Sequence, residues 1–257
     1  MSLSKRKKIL LRPIHPNAGI QQKYRADLNR LLRSVRNDVL ATVDQWKDVA
    51  RQVATDSNPL ADAIDQLMIT WIRKLSELGE RMAKEFIGST LSAYDGNLKR
   101  QLRRAGFTVK LQLTDTTKEA LKVATGMNVG LIRSIPTQYL ADVSKHVYEA
   151  TSGGFDLATL TDNLDHAYHI GRNRAKLIAR DQARKAMGVI EQARRQELGV
   201  TRAIWYHSGA AKEPRQSHIK ANGKEFDVDK GCYIDGEWIL PGQKINCGCV
   251  SRSVIEV

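Results

Sequence analysis

The chain has 257 residues, enough for a sizeable buried core, with 42% hydrophobic and 27% charged residues, as in an ordinary soluble globular protein. Its formal net charge is +13, which favours polyanionic partners such as nucleic acid, an acidic protein surface or anionic lipid. At 6% aromatic residues, base stacking along a single strand is disfavoured and phosphate contact without sequence readout fits better.

The opening residues are basic but lack the continuous apolar run and small-residue cleavage site of a secretory signal, and no stretch of about 18 apolar residues predicts a membrane span. Residues 1–17 read as a basic arm, extended and docked or disordered. Lys5, Arg6, Lys7 and Lys8 are candidate nucleic-acid contacts, and Pro13 and Pro16 disfavour helix before them.

From Ala18 to about Val53 the spacing predicts a helix. Its apolar stripe is Ile20, Tyr24, Leu28, Leu31, Leu32, Val35, Val39 and Val43. Residues 55–59 predict a turn and a new helix, with Asn58 as N-cap and Pro59 in first position. That helix runs to about Tyr94, where Asp95-Gly96-Asn97 predicts a turn, followed by a short basic helix to Gly106. Phe107–Leu113 alternates like a short strand, and Thr114–Thr117 opens another helix, predicted to break near Ser134-Ile135-Pro136 and to stop at Ser152-Gly153-Gly154.

A helix over 156–169 and a longer one from Gly171 to Leu198 follow, the second ending on Gly199 as its C′ residue. Arg172, Arg174, Arg180 and Arg184 on this last helix are further candidate nucleic-acid contacts, because its arginines face either acidic neighbours or phosphates.

Beyond Gly199 helical periodicity gives way to short apolar pieces between glycine turns. Arg202–His207 predicts a strand with Ala203 and Trp205 on one side and Ile204 and Tyr206 on the other. Residues 215–218 open a short helix or turn, and Asn222-Gly223 is a hairpin signal before a strand at 224–226. Residues 250–257 are β-branched and predicted to pair back into a small sheet. The fold class is α+β: a mainly α-helical, elongated platform (18–199) bearing a small mixed α/β module (200–257).

All three cysteines, Cys232, Cys247 and Cys249, lie in that module with His207 and His218. Three cysteines, two of them in a C-x-C, make no disulfide framework and point to free thiols or metal ligation. Two thiolates one residue apart can reach a single ion, and His218, Cys232 and His207 are the only other N or S donors nearby; of these His218 and Cys232 are assigned as the remaining ligands, for one structural zinc. The competing reading is a packed apolar turn. An open three-ligand site would instead suit a metal-dependent hydrolase or nuclease using His207 or His218, with Asp227, Asp229, Asp235 and Glu237 as available acids. None of these acids sits at a spacing that forces it beside a histidine.

The ordered set Trp205, Glu213-Pro214-Arg215, His218, Asn222-Gly223, Phe226, Pro241-Gly242 and Asn246-Cys-x-Cys249 resembles the head-morphogenesis domain of tailed bacteriophages, the Mu F-like family of minor head proteins. Residues 11–20 (LRPIHPNAGI) resemble the opening of Mu-like members. Gly248 departs from the arginine usual between the cysteines. The resemblance implies a structural, non-enzymatic virion protein, present in few copies inside the head near the portal vertex and in host cytoplasm during assembly. It implies as partners the portal protein, the major capsid or scaffolding protein, and double-stranded DNA read without sequence preference, with no membrane.

Overall fold

The computed structural model describes residues 8–52, 58–152, 156–209 and 213–256. Lys5, Arg6, Lys7, the turn residues 55–57 and the stop at Gly153-Gly154 lie outside the described residues. Four long helices fill most of the chain: α1 (Ala18–Gln52), α2 (Pro59–Arg104), α3 (Asp115–Ser152) and α4 (Leu157–Glu197). The remainder is a short helix, α5 (Gln216–Lys220), and six short strands: β1 (Lys8–Leu10), β2 (Arg202–Tyr206), β3 (Glu225–Asp227), β4 (Cys232–Ile234), β5 (Glu237–Ile239) and β6 (Val250–Glu256). This is the mainly helical α+β class with a small sheet region that the sequence predicts. No helix among the described residues is long and apolar enough to cross a membrane.

Helix starts follow local chemistry. Asn17 Oδ1 accepts the Ile20 N–H at 3.1 Å, Asn58 Oδ1 the Ala61 N–H at 3.1 Å, Thr114 Oγ1 the Thr117 N–H at 3.2 Å, and Asp156 Oδ1 the Ala158 N–H at 3.0 Å. Each side chain satisfies a donor the first helical turn leaves unpaired. α4 ends in a Schellman motif: Val200 N–H donates to Arg195 O at 2.8 Å and Gly199 N–H to Gln196 O at 3.2 Å, with Gly199 at φ 64°.

Three predicted interruptions are absent. α2 runs straight through Asp95-Gly96-Asn97, because Tyr94, Leu98 and Leu102 continue one buried face at four-residue spacing and Asp95 is held by Arg194. α3 is continuous through Pro136, with Ile132, Ile135, Tyr139 and Leu140 all buried around it. α4 is continuous through Gly171, whose missing side chain makes room for Leu32: a Cβ there would lie 2.8 Å from Leu32 Cδ2. Phe107–Leu113 alternates in burial as predicted but forms no ladder. It is an extended segment whose Phe107, Val109 and Leu111 pack on a core.

By contacts the chain divides into two compact units. One comprises Gln22–Lys84 and Thr125–Ala179; its buried residues come from α1, α2, α3 and α4, among them Leu32, Val35, Ile64, Trp71, Ile132, Leu140 and Leu160. Arg36 Nη2 meets Asp165 Oδ1 at 2.6 Å there, and Trp71 Nε1 donates to Asp38 Oδ2 at 3.0 Å.

The other unit comprises Met1–Gln21, Glu85–Ala124 and Arg180–Val257. It holds an antiparallel four-stranded sheet of order β1-β6-β2-β3 and the β4–β5 hairpin. Strand β6 is therefore central, and Lys8–Leu10 of the predicted arm is an edge strand. The hairpin turn is Asp235-Gly236, both at positive φ (53° and 84°), as a two-residue I′ turn requires. Asn222-Gly223 instead links α5 to β3, and it does deliver the predicted strand.

Two apolar clusters flank this sheet. One contains Ala203, Trp205, Ala221, Phe226, Val228, Ile234, Ile239 and the three cysteines. The other joins Leu11 and Ile14 to Tyr94, Leu98, Leu102, Met187, Ile190 and Val250.

Candidate metal centre

Three structural pieces converge on the C-x-C. Strand β2 alternates, so Ala203 and Trp205 face the first cluster, fully buried. Helix α5 carries His218 inward, where its ring meets Trp205 edge-on at 5.2 Å between centroids. The loop before β6 is bent by two left-handed residues, Gly242 (φ 82°) and Asn246 (φ 60°), and Arg180 Nη2 holds Asn246 Oδ1 at 2.5 Å. Ser208 Oγ donates to the carbonyl of the buried Gly248, tying the loop to the end of β2.

The result is a compact group of donors. Cys247 Sγ lies 3.3 Å from His218 Nδ1, and Cys249 Sγ lies 3.9 Å from the same nitrogen. Ligand atoms of His218, Cys247 and Cys249 all fall within 4.8 Å of one another, and all three residues are buried. A tetrahedral zinc with Zn–S of about 2.3 Å and Zn–N of about 2.0–2.1 Å places sulfur and nitrogen roughly 3.6 Å apart. The two His218 distances bracket that value.

The thiols are electrostatically coupled. Cys247 is pushed down to about 5 by the hydrogen bond it accepts from the Cys249 thiol, reinforced by the backbone N–H groups of Cys249 and Gly242, against the opposing pull of burial. Cys249 is pushed up, first by that same hydrogen bond and then by burial. One proton is thus shared between two sulfurs, and a cation binding both would displace it. Trp205 Nε1 is buried without a full hydrogen-bond partner, and its proton favours the thiolate form of Cys249. Two close thiols and an imidazole nitrogen, with an indole N–H that favours the Cys249 thiolate, make a donor set that fits zinc.

Of the four ligands assigned from sequence, the fold gathers His218, Cys247 and Cys249. Cys232 is also buried in the first cluster, on β4 opposite Ile239, but is not one of the three gathered residues. Burial pushes its thiol up. All three cysteines are free of disulfides. His207 is likewise outside that group of three, but its Nδ1 lies 3.7 Å from Cys249 Sγ.

The four acids available to a hydrolase are engaged elsewhere. Asp227 Oδ1 accepts the Asp229 and Lys230 N–H groups, and Asp229 Oδ1 takes the side-chain amide of Gln192. Asp235 takes the Ser217 hydroxyl, and Glu237 pairs with Lys244. None joins the only metal-capable group found among the described residues.

The candidate nucleic-acid contacts differ in availability. Lys8 is exposed, 3.7 Å from both Glu225 and Glu256, and Arg172 is exposed beside the Tyr168 ring. Arg174 donates to Ser134 Oγ at 3.1 Å. Arg184 is half-buried, and burial followed by neighbouring Arg180 lowers it below the ordinary guanidinium range. On α4, Arg194 and Arg195 do face acids. Arg194 pairs with Asp95 and Glu197, while Arg195 binds Glu191, Ser251 and Ser253. Their sequence signal is the acid three or four positions away on the same helix.

A long-helix chain carrying a small sheet module with a buried Cys/His cluster is the class these features define. Residues 141–252 match the family model described as Phage Mu protein F like protein, a span that includes His207, His218 and all three cysteines. Over that span the chain is similar to the Mu F-like family that the motif order from Trp205 to Cys249 resembles. The chain is also 25% identical to an uncharacterized protein of Haemophilus influenzae over 255 residues, which is 95% of this chain and 55% of that protein's length. No solved structure matches it.

Proposed function

We infer that this chain is a minor structural protein of a tailed-phage or prophage head, acting with the portal vertex during assembly, packaging or ejection rather than as an enzyme. The carrying observation is that one Mu F-like match spans α4 and the entire Cys/His cluster together. In this reading the helical stretch 18–199 is a platform for the module 200–257, and one zinc at His218, Cys247 and Cys249 stabilises a module whose own core is small. The portal protein is the primary partner, with major capsid or scaffolding protein as further contacts, and the protein resides in the virion after passing through host cytoplasm.

The charge of +13 supports sequence-independent contact with double-stranded DNA. Among the described residues, exposed Lys8 and Arg172 are its best-placed cations, and Lys5, Arg6 and Lys7 add charge by sequence alone; Arg174, Arg180 and Arg184 contribute through side chains that are already partly held. Co-expression of the full chain with the portal protein of the same phage tests the assignment. A stable complex on size-exclusion chromatography is expected. A chain that remains separate from the portal and hydrolyses nucleic acid, with activity lost in His218→Ala, would overturn it in favour of a metal-dependent hydrolase.

A further inference from the structure

We propose that His207, not Cys232, is the fourth ligand of this centre, giving a closed Cys2His2 zinc site; the proposal rests on the metal reading above. Three independent observations converge. The β2–β6 ladder pairs Arg202 with Val254 through Tyr206 with Val250, so one further step in register sets His207 directly opposite Cys249. Opposed residues of an antiparallel pair project from the same face, so His207 is delivered beside the second cysteine by the sheet itself.

The backbone there is pinned. His207 N–H donates to Asn222 Oδ1 at 2.9 Å, and the adjacent Ser208 hydroxyl binds the Gly248 carbonyl, which lies between the two cysteines. Finally, the separation of 3.7 Å between His207 Nδ1 and Cys249 Sγ is close to the roughly 3.6 Å expected for two ligands on one tetrahedral zinc. Its counterpart, 3.3 Å between His218 Nδ1 and Cys247 Sγ, lies on the other side of that value.

The ligand chemistry follows. Two thiolates and two neutral imidazoles, arranged tetrahedrally, select zinc among common divalent metals. The thiolates cancel the charge of the ion. Four protein ligands leave no position for an activated water, which makes the site structural. Both histidines bind through Nδ1, so each carries its proton on Nε2. His207 is the half-exposed member of the set, whereas His218, Cys247 and Cys249 are buried.

Cobalt(II) substitution in the full-length chain tests this, reading visible ligand-field absorption for geometry and near-ultraviolet charge transfer for the number of bound thiolates. Wild type is expected to bind one cobalt with a tetrahedral spectrum. His207→Ala should keep the two-thiolate charge-transfer intensity, lose much of the tetrahedral visible intensity, and bind zinc at least tenfold more weakly against a chromophoric chelator. His207→Cys should raise charge transfer by about half, from two thiolates to three, a gain that a poorly folded variant would not produce. Cys232→Ser should leave every signal unchanged. An unchanged His207→Ala spectrum, a His207→Cys spectrum without added charge transfer, or a third thiolate lost in Cys232→Ser would overturn the assignment of His207 while leaving a metal site. A wild type that binds neither cobalt nor zinc would overturn the metal reading itself.

Discussion

Outside the candidate metal centre, Arg194 is the side chain whose removal should be felt most strongly. Its side chain is 2% exposed, and it donates through Nε and Nη2 to both oxygens of Asp95 at 2.8 and 2.6 Å. It also donates through Nη1 to Glu197 and, at 2.5 Å, to the carbonyl of Gln112. Replacing it with methionine keeps volume but strands two carboxylates, whose side chains are 17% and 10% exposed, and one carbonyl. Breaking a buried pair from one side costs about 3–5 kcal/mol; the residual solvent contact of both acids favours the lower end, about 3 kcal/mol. At roughly 2–4 °C per kcal/mol for a chain of this size, Arg194→Met should lower Tm by about 6–12 °C. The assay is thermal unfolding by circular dichroism on Arg194→Met, Asp95→Leu and the double variant. Because Asp95→Leu removes the stranded charge, the double variant should be less destabilised than the sum of the singles by about 1.5 kcal/mol or more. An Arg194→Met protein within about 0.5 kcal/mol of wild type, or strictly additive singles, would refute the argument that the pair is energetically coupled.

Gly231 sits at φ 89° with Ile239 O only 2.6 Å from where a Cβ would stand, so Gly231→Ala should cost about 3 kcal/mol or more and loosen the β4–β5 hairpin, read as faster amide exchange at Cys232 and Ile239. Gly171→Ala gains about 1 kcal/mol of helix propensity but forces Leu32 aside; a net loss of about 1–2 kcal/mol is expected, relieved by adding Leu32→Val, as urea titrations of the single and double variants would show. Asn58→Ala removes the α2 cap and should cost about 1 kcal/mol in the same titration, with Asn58→Asp close to neutral. On the zinc reading proposed above, zinc at about 100 times its Kd should raise Tm of the metal-free chain by about 5–11 °C, or ~2.7 kcal/mol, a chelator should reverse the shift, and an unchanged Tm would count against the centre.

Much of this fold is legible in the sequence wherever a local signal and a long stripe agree. The α1 face from Tyr24 to Val43 is buried as its spacing predicts, and Asn58, Thr114 and Gly199 cap their helices as their chemistry predicts. Punctuation misleads where tertiary partners override it: Asp95-Gly96-Asn97 has a turn composition, but Arg194, about 100 positions away, supplies the charge that keeps Asp95 in the helix. Gly171 resembles a break because a glycine needed for close approach to Leu32 and a glycine needed for a stop are identical in one dimension. Phe107–Leu113 alternates because it half-buries one side on a core, which requires no strand partner. At the candidate centre the donor inventory is readable, since His207, His218 and the C-x-C fall within 43 residues of one another. Which donors meet is a matter of strand register, and the Tyr206–Val250 pairing is invisible until the sheet is built.

Strand β6 is the last of the sheet to be synthesised, yet it is the strand on which the others depend. Its neighbours, β1 and β2, are made some 240 and 50 residues earlier, and neither pairs with the other. A nascent chain must therefore carry two unpaired edges, Lys8–Leu10 and the inner side of Arg202–Tyr206, until residues 250–256 arrive and join them in one step. Such long-range closure is slow, and the waiting edges are available to other strands meanwhile. The same residues that close the sheet follow directly on the C-x-C, so the thiols remain accessible to oxidants and stray metals for as long as the sheet stays open. Refolding from denaturant should consequently depend on reductant and, on the zinc reading proposed above, on zinc at the stage when β6 docks, and proceed without regard to either while the long helices form.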